Sequence, residues 1–510
     1  MGAGPTFVRL LVVLLLSGLL GQRQGSVPTQ AGQKAATGEP SEVAILSQQI
    51  QDLTTSVPPE LAAYALLRVV ELKGVSQPEQ QRQLVEQAYM LAGQSSYPVR
   101  LIAASGMNDT RATYLSEALT QGLDTLSLRT KAVSAMLKID PERARDMFQE
   151  LRPLALSRRS CSDSMLDDPA AYYISAGEVY KKGFNQDEQA KGLPEEFLES
   201  VFRDVNQASE VGPAADLLRT LQFDPEMLAR AEGAFARSLS GIRGDYRSFA
   251  ATQGNLTRNV TRLAQMPGRA SRALLEATRT YVVANESGAV CEDNAQSSTM
   301  GLNGSASSSN VGAFAALNQV LEKNSIAPIS AADVKPGQLV TVSESKTQDY
   351  WQSPAVTPLL AQIRSLRSGD KDSPQWQEAA SNLLISLREW IDSSTEPSDE
   401  DFYIEKTALY SQMLSLTPAD SPVYDEALNE YISFLSEVPL SDDVQIYRLW
   451  NIQNLVRRSR MNRGNGEVAR QKMDSAIEDA PSPSISLYGY LLELEGMQRT
   501  AFGRGYASRF

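Results

Sequence analysis

The chain has 510 residues, 42% of them hydrophobic and 21% charged, with a net charge of −13 and an isoelectric point near 4.9. That composition is ordinary for a soluble protein and long enough for several domains or one long repeat array. Its acidic surface disfavours nucleic acid and anionic membranes as partners.

The first 25 residues read as a signal peptide. One positive charge, Arg9, precedes an apolar core from Leu10 to Leu20, which is short for a bilayer span and the right size for a signal core. Gly21 and Gly25 are the candidate cleavage positions, and no cysteine follows that could carry a lipid anchor. The expectation is an exported chain, periplasmic or secreted, with no integral membrane segment after cleavage. Residues 26–40 are rich in Gln, Gly, Ser and Thr and are expected to be disordered.

An N-terminal helical block is expected over 41–285. Pro58-Pro59 opens "ELAAYALLRVVEL", and Pro78 opens "EQQRQLVEQAYMLAG". The stretch Leu128 to Leu151, "LRTKAVSAMLKIDPERARDMFQEL", reads as a helical hairpin. Asp140 is a good N-cap, Pro141 suits the first helical position, and Glu142 suits the dipole. Ala132, Ala135, Met136 and Ile139 form one apolar face, and Ala144, Met147, Phe148 and Leu151 form another. Neither face is covered by the hairpin itself, so the unit needs neighbours. Its polar residues Lys131, Lys138, Glu142 and Arg145 are expected simply to face water.

Leu128-Arg129, Ala132, Ala135, Leu137, Ile139-Asp140-Pro141 and Ala144 resemble the short HEAT-type helical repeat. Tetratricopeptide repeats are a second, poorer match. Val99-Arg100 and Ala103 stand 29 residues upstream of Leu128-Arg129 and Ala132 and read as a partial copy. Leu221 to Glu226, "LQFDPE", echoes the turn. The resemblance implies an all-α fold of helical hairpins stacked as a solenoid. Such arrays are protein- or peptide-binding scaffolds.

Further along, "DPAAYYISAGEVYKKG" and "LPEEFLESVFRDV" are amphipathic, the second with Leu198, Val201, Phe202 and Val205 on one stripe. Residues 286–350 form a Gly-, Ser- and Asn-rich linker holding a short helix, "VGAFAALNQVLEKN", and one strand-like run, "KPGQLVTVSES". A C-terminal helical block follows over 351–510. Cys161 and Cys291 lie in polar, loop-like settings of an exported chain, and a disulfide between them is expected. Two separate free thiols are the alternative.

The sequence has no histidine. Ser-His-Asp and Cys-His nucleophiles are therefore excluded, as are the usual His-bearing zinc sites, and two cysteines cannot make a Cys₄ site. No phosphate-binding glycine motif is present. No catalytic, cofactor-binding or metal-ligating residue is assigned, and no cofactor is expected. Two readings survive. One is an exported, non-catalytic helical-repeat scaffold for a protein or peptide. The other is a helical-barrel carbohydrate-active enzyme using an Asp/Glu pair. The densest carboxylates are Asp163, Asp167 and Asp168, and Asp399, Glu400 and Asp401, both near expected helix starts at Pro169 and Ser398. The tryptophans Trp351, Trp376, Trp390 and Trp450 all fall in the C-terminal half, where a ligand groove is expected. The run "VRRSRMNRGNGEVARQK", with Arg457, Arg458, Arg460, Arg463, Arg470 and Lys472, reads as a solvated helix end or, alternatively, an anion contact.

Overall fold

The computed structural model describes residues 42–104, 110–266, 270–287, 290–291, 314–330, 332–334, 339–340, 356–390, 399–437, 441–461 and 467–507. The expected signal peptide and the 26–40 segment lie outside these residues. The protein is predominantly helical, with almost no sheet. In chain order the first elements are α1 (Glu42–Leu53), α2 (Pro59–Glu71), α3 (Pro78–Ala92), β1 (Arg100–Ala103), α4 (Thr110–Leu119), α5 (Thr125–Met136) and α6 (Pro141–Gln149). Then come β2 (Met165–Asp168), α7 (Ala170–Lys182), α8 (Gln186–Ala190), α9 (Leu193–Arg203), α10 (Ala208–Thr220), α11 (Pro225–Gly241), α12 (Tyr246–Gln265) and α13 (Arg272–Glu286). The remainder are β3 (Val290–Cys291), α14 (Ala315–Lys323), β4 (Leu339–Val340), α15 (Val356–Ser368), α16 (Pro374–Glu389), α17 (Asp399–Leu416), α18 (Pro422–Ser436), α19 (Asp442–Met461), α20 (Glu467–Glu478) and α21 (Pro483–Ala507).

Local chemistry explains where many helices begin. Asp140 accepts from the Arg143 amide at 3.0 Å, and Asp224 from the Met227 amide at 2.8 Å, each just before a first-turn proline. Ser373 and Ser421 cap α16 and α18 in the same way, again followed by proline. Each cap satisfies one of the open amides that a helix start would otherwise leave bare. We expect Asp140→Ala to cost about 1 kcal/mol of stability, read from the urea midpoint. An unchanged midpoint would mean that the cap contributes nothing here.

Helices pack on their successors and also on the helix beyond. One row runs from α2 to α5, α7, α10 and α12; behind it, α9 packs on α11 and α11 on α13. The C-terminal half repeats this, with α15, α17, α19 and α21 in one row and α16, α18 and α20 in the other. The halves then meet in reversed chain order. The last helix, α21, packs against α1 and α2, and α19 packs against α4. Polar contacts hold this seam. Tyr488 donates its hydroxyl to Gln121 Oε1 at 2.8 Å, and Arg68 pairs with Glu495. The apolar faces of both halves merge into one core, including Phe148, Phe202, Phe235, Tyr281 and Tyr447.

The expected upstream repeat copy is not helical. Arg100–Ala103 forms β1, antiparallel to β2, with Arg100 opposite Asp168 and Ala103 opposite Met165. β2 supplies the backbone partners that a helix would have found internally. The strand-like run after Lys335 contributes β4, whose Leu339–Val340 pairs in parallel with β3. Cys161 and Cys291 lie at disulfide distance, with Cα atoms 5.2 Å apart. The Cys161 loop is fastened by buried Arg247, which donates to the carbonyls of Cys161 at 2.7 Å and Asp163 at 3.1 Å. Among the described residues, no helix is long and apolar enough to cross a membrane.

Candidate binding groove

Helices α2, α5 and α7 of the row α2, α5, α7, α10 and α12 each bury one face and turn a stripe of other residues toward a common hollow. On α2 the stripe is Tyr64, Arg68 and Glu71; on α5 it is Ser127, Thr130, Lys131 and Ser134; on α7 it is Ala171 and Ile174. Spacings of three and four put each set on one helical face. Helix α19 crosses from the other half of the chain and adds Trp450, Gln453, Asn454 and Arg457. Together these stripes line a groove of about 940 Å³. A second hollow of about 700 Å³ continues from it, sharing Trp450 and Asn454. Its walls carry Tyr114, Tyr424, Tyr431 and Tyr447, with Asn451 and Arg458 among the polar groups. Tyr114 meets Trp450 edge to face at 6.4 Å, which joins the two hollows at an aromatic corner.

The larger groove is basic. Arg68 pairs with Glu71 and Glu495, and Arg100 with Asp168 at 2.7 Å. Lys131 lies over the Tyr64 ring, its ammonium 5.4 Å from the centroid and 3.4 Å from the Gly122 carbonyl oxygen. Gly122 has a left-handed φ of 65°, and a side chain there would start 3.0 Å from that ammonium. Lys131 is open to water along the groove yet ringed by protein. That desolvation pushes its pKa down, against the pull of Asp124, and burial pushes the Tyr64 hydroxyl up. Lys73, Lys138 and Arg457 are exposed, and none makes an ion pair among the described residues. Among the residues lining the two hollows, Glu71 is the one carboxylate.

Asp163, Asp167, Asp168, Glu400 and Asp401, from the acidic clusters singled out in the sequence, do not line either hollow. Asp167 pairs with Arg159 and accepts from the Ser157 amide at 2.8 Å. Asp168 holds Arg100 and accepts from the Ala170 amide at 3.1 Å, at the start of α7. Asp163 accepts from the Ser160 amide and hydroxyl. Glu400 pairs with Arg111, and Asp401 is buried; the Asp399 side chain and Ser398 are outside the described residues. Among the described residues no group of three or more His, Cys, Asp or Glu is placed to hold a metal.

Among the described tryptophans, Trp450 alone lines the groove. Trp376 is buried and donates to the Leu366 carbonyl at 2.8 Å, Trp390 packs edge-on against Phe402, and Trp351 is outside the described residues. The basic run divides likewise. Arg470 pairs with Glu467 and Lys472 with Asp425, whereas Arg457 faces the groove and Arg458 reaches Ser411 at 2.8 Å by the second hollow. The side chains of Arg460 and Arg463 lie outside the described residues. Lys131 and Lys138, expected only to face water, are groove residues, and Arg145 is taken up by Glu188 and the Phe184 ring. Comparison with known proteins returns no match among family models, curated proteins or solved structures.

Proposed function

We propose that this is an exported, non-catalytic helical-repeat protein whose hairpins stack as a HEAT-like solenoid and hold a protein or peptide segment in the groove. The observation that carries the reading is the groove's construction. Helices α2, α5, α7 and α19, from both halves of the chain, each turn residues into a common furrow, mostly polar on α2, α5 and α19 and apolar at Ala171 and Ile174 of α7. Open, extended furrows of this kind are how stacked-helix proteins present a binding face. The pairing of each helix with the one beyond it supports the stacking. A cysteine pair at disulfide distance is compatible with an oxidising compartment. Cleavage of a glycoside would need two carboxylates facing each other across a cleft. With Glu71 alone in the described walls, binding is the better-supported chemistry.

The test is selection from a random displayed peptide library on the full chain. Selected peptides are expected to lose binding to Ala171→Trp, which fills the groove floor. They should keep binding to Ile385→Trp, at an exposed position outside it. Equal binding to both variants would overturn the reading.

A further inference from the structure

We infer that the groove takes an acidic peptide segment with interspersed aliphatic side chains. This rests on the binding reading above and names the partner's chemistry.

The first support is charge placed against the grain of the molecule. The chain as a whole carries −13, yet Arg68, Lys73, Arg100, Lys131, Lys138 and Arg457 converge on one concavity with only Glu71 among them. Like charges gathered in a hollow repel one another, and low-dielectric walls focus their field outward along the opening. Arg68 and Arg100 already hold carboxylates of this chain. Lys73, Lys131, Lys138 and Arg457 make no ion pair among the described residues, and they come from α2's end, α5, the turn after α5, and α19. Their separate origins mean that no single helix-end effect gathers them.

The second support is apolar. Ile174 is 67% exposed and lines the groove, as do Ala171, Ala135 and the aromatic residues Tyr64 and Trp450. Carboxylates answer the cations, and aliphatic side chains cover Ile174. A peptide supplies both on one strand, whereas an anionic polysaccharide offers nothing to bury against isoleucine. A long nucleic acid would also meet the acidic remainder of the surface. A short peptide is confined to the groove, because charges beyond about one Debye length of ~8 Å are screened. Lys131, over the Tyr64 ring and without an ion pair among the described residues, is placed to receive a carboxylate.

The experiment is fluorescence anisotropy on the full chain with a labelled peptide of repeating Glu-Leu-Glu-Pro. Its Gln-for-Glu and Lys-for-Glu counterparts, and a uronic acid oligosaccharide of equal charge, are run beside it. We expect the acidic peptide to bind, its Gln counterpart to bind about tenfold more weakly, and added salt to weaken only the acidic one. Arg457→Glu with Lys138→Glu should weaken it about tenfold, and Ile174→Ser several-fold; all three positions are exposed. Arg457→Gln with Lys138→Gln, the milder pair, should fall between. Equal or tighter binding of the Gln or Lys peptide, tighter binding of the oligosaccharide, or no binding of the acidic peptide would each overturn the inference. The two levels separate cleanly. Library peptides that map to the groove but lack acids defeat this inference and leave the binding reading intact. An acidic peptide that binds Ala171→Trp as well as wild type defeats both.

Discussion

Phe148→Ala is expected to lower stability by about 3–5 kcal/mol, the range for removing a fully buried aromatic side chain. Phe148 has no exposed surface. Its ring stacks on Tyr172 with centroids 4.8 Å apart and meets Phe197 edge-on at 5.4 Å. These three rings come from α6, α7 and α9, so one side chain closes the junction between consecutive hairpins. Truncation removes both the transfer energy and the aromatic contacts, and the rigid flanking helices cannot collapse into the space. Phe148→Leu should recover part of the loss, since it refills most of the volume. Urea unfolding measures both. A loss below about 1 kcal/mol for Phe148→Ala would mean that the hairpins do not depend on this junction. Peptide binding by the folded fraction should be unchanged, because the ring lies away from the groove.

The starts of α6 and α11 were legible because a cap and a proline act within one turn. The chemistry at Asp140-Pro141 needs no distant partner. The same holds for the apolar stripes, which the burial of Met147, Phe148, Leu198, Val201 and Phe202 follows. Strand β1 was not legible. Its sequence, "RLIA", is a fair helix segment, and its extended state depends on β2, some sixty residues on. The groove was hidden for the same reason at larger scale. Tyr64 and Lys131 sit on mostly polar stripes and Ile174 is a lone exposed isoleucine, and these do not read as one site until α19 is laid across them. What lays it there is a seam between the chain's two ends, through Arg68 with Glu495, Tyr488 with Gln121, and Tyr447 with the Arg111 carbonyl. A groove was expected in the C-terminal half. Trp450 is central, but most of the larger groove belongs to α2, α5 and α7. Lys131, Lys138 and Arg457 are three among 48 lysines and arginines, and only the fold turns them to face one way.

Glu405→Gln is expected to stabilise the protein, and to do so increasingly as pH rises. Glu405 lies on α17 with 1% of its surface exposed, and neither carboxylate oxygen has a hydrogen-bond partner among the described residues. Contrast Glu210, equally buried, which accepts from the amides of Asn206 and Gln207 and from the Tyr173 hydroxyl. Burial, with the nearby Asp401 adding to it, pushes the Glu405 carboxyl from 4.5 up to about 8. The sign follows from proton counting. Between those two values the folded protein keeps a proton that the unfolded chain has released, so stability falls as pH rises through the window. Below it both states are protonated and Glu405 carries no penalty; above it the folded protein holds an unpartnered buried charge. A tenfold change in proton affinity is worth about 1.4 kcal/mol, so the full penalty is at most on the order of 4–5 kcal/mol. Glutamine keeps the shape and stays neutral. Its advantage over wild type should therefore be smallest near pH 4.5, grow through neutrality and level off above about pH 8. Urea midpoints of the two proteins across that range give the result directly. Any fixed cost of placing an amide there offsets the whole difference and leaves its slope untouched, so the slope is the readout. A difference that stays flat with pH would show that Glu405 is ionised and partnered in the folded protein.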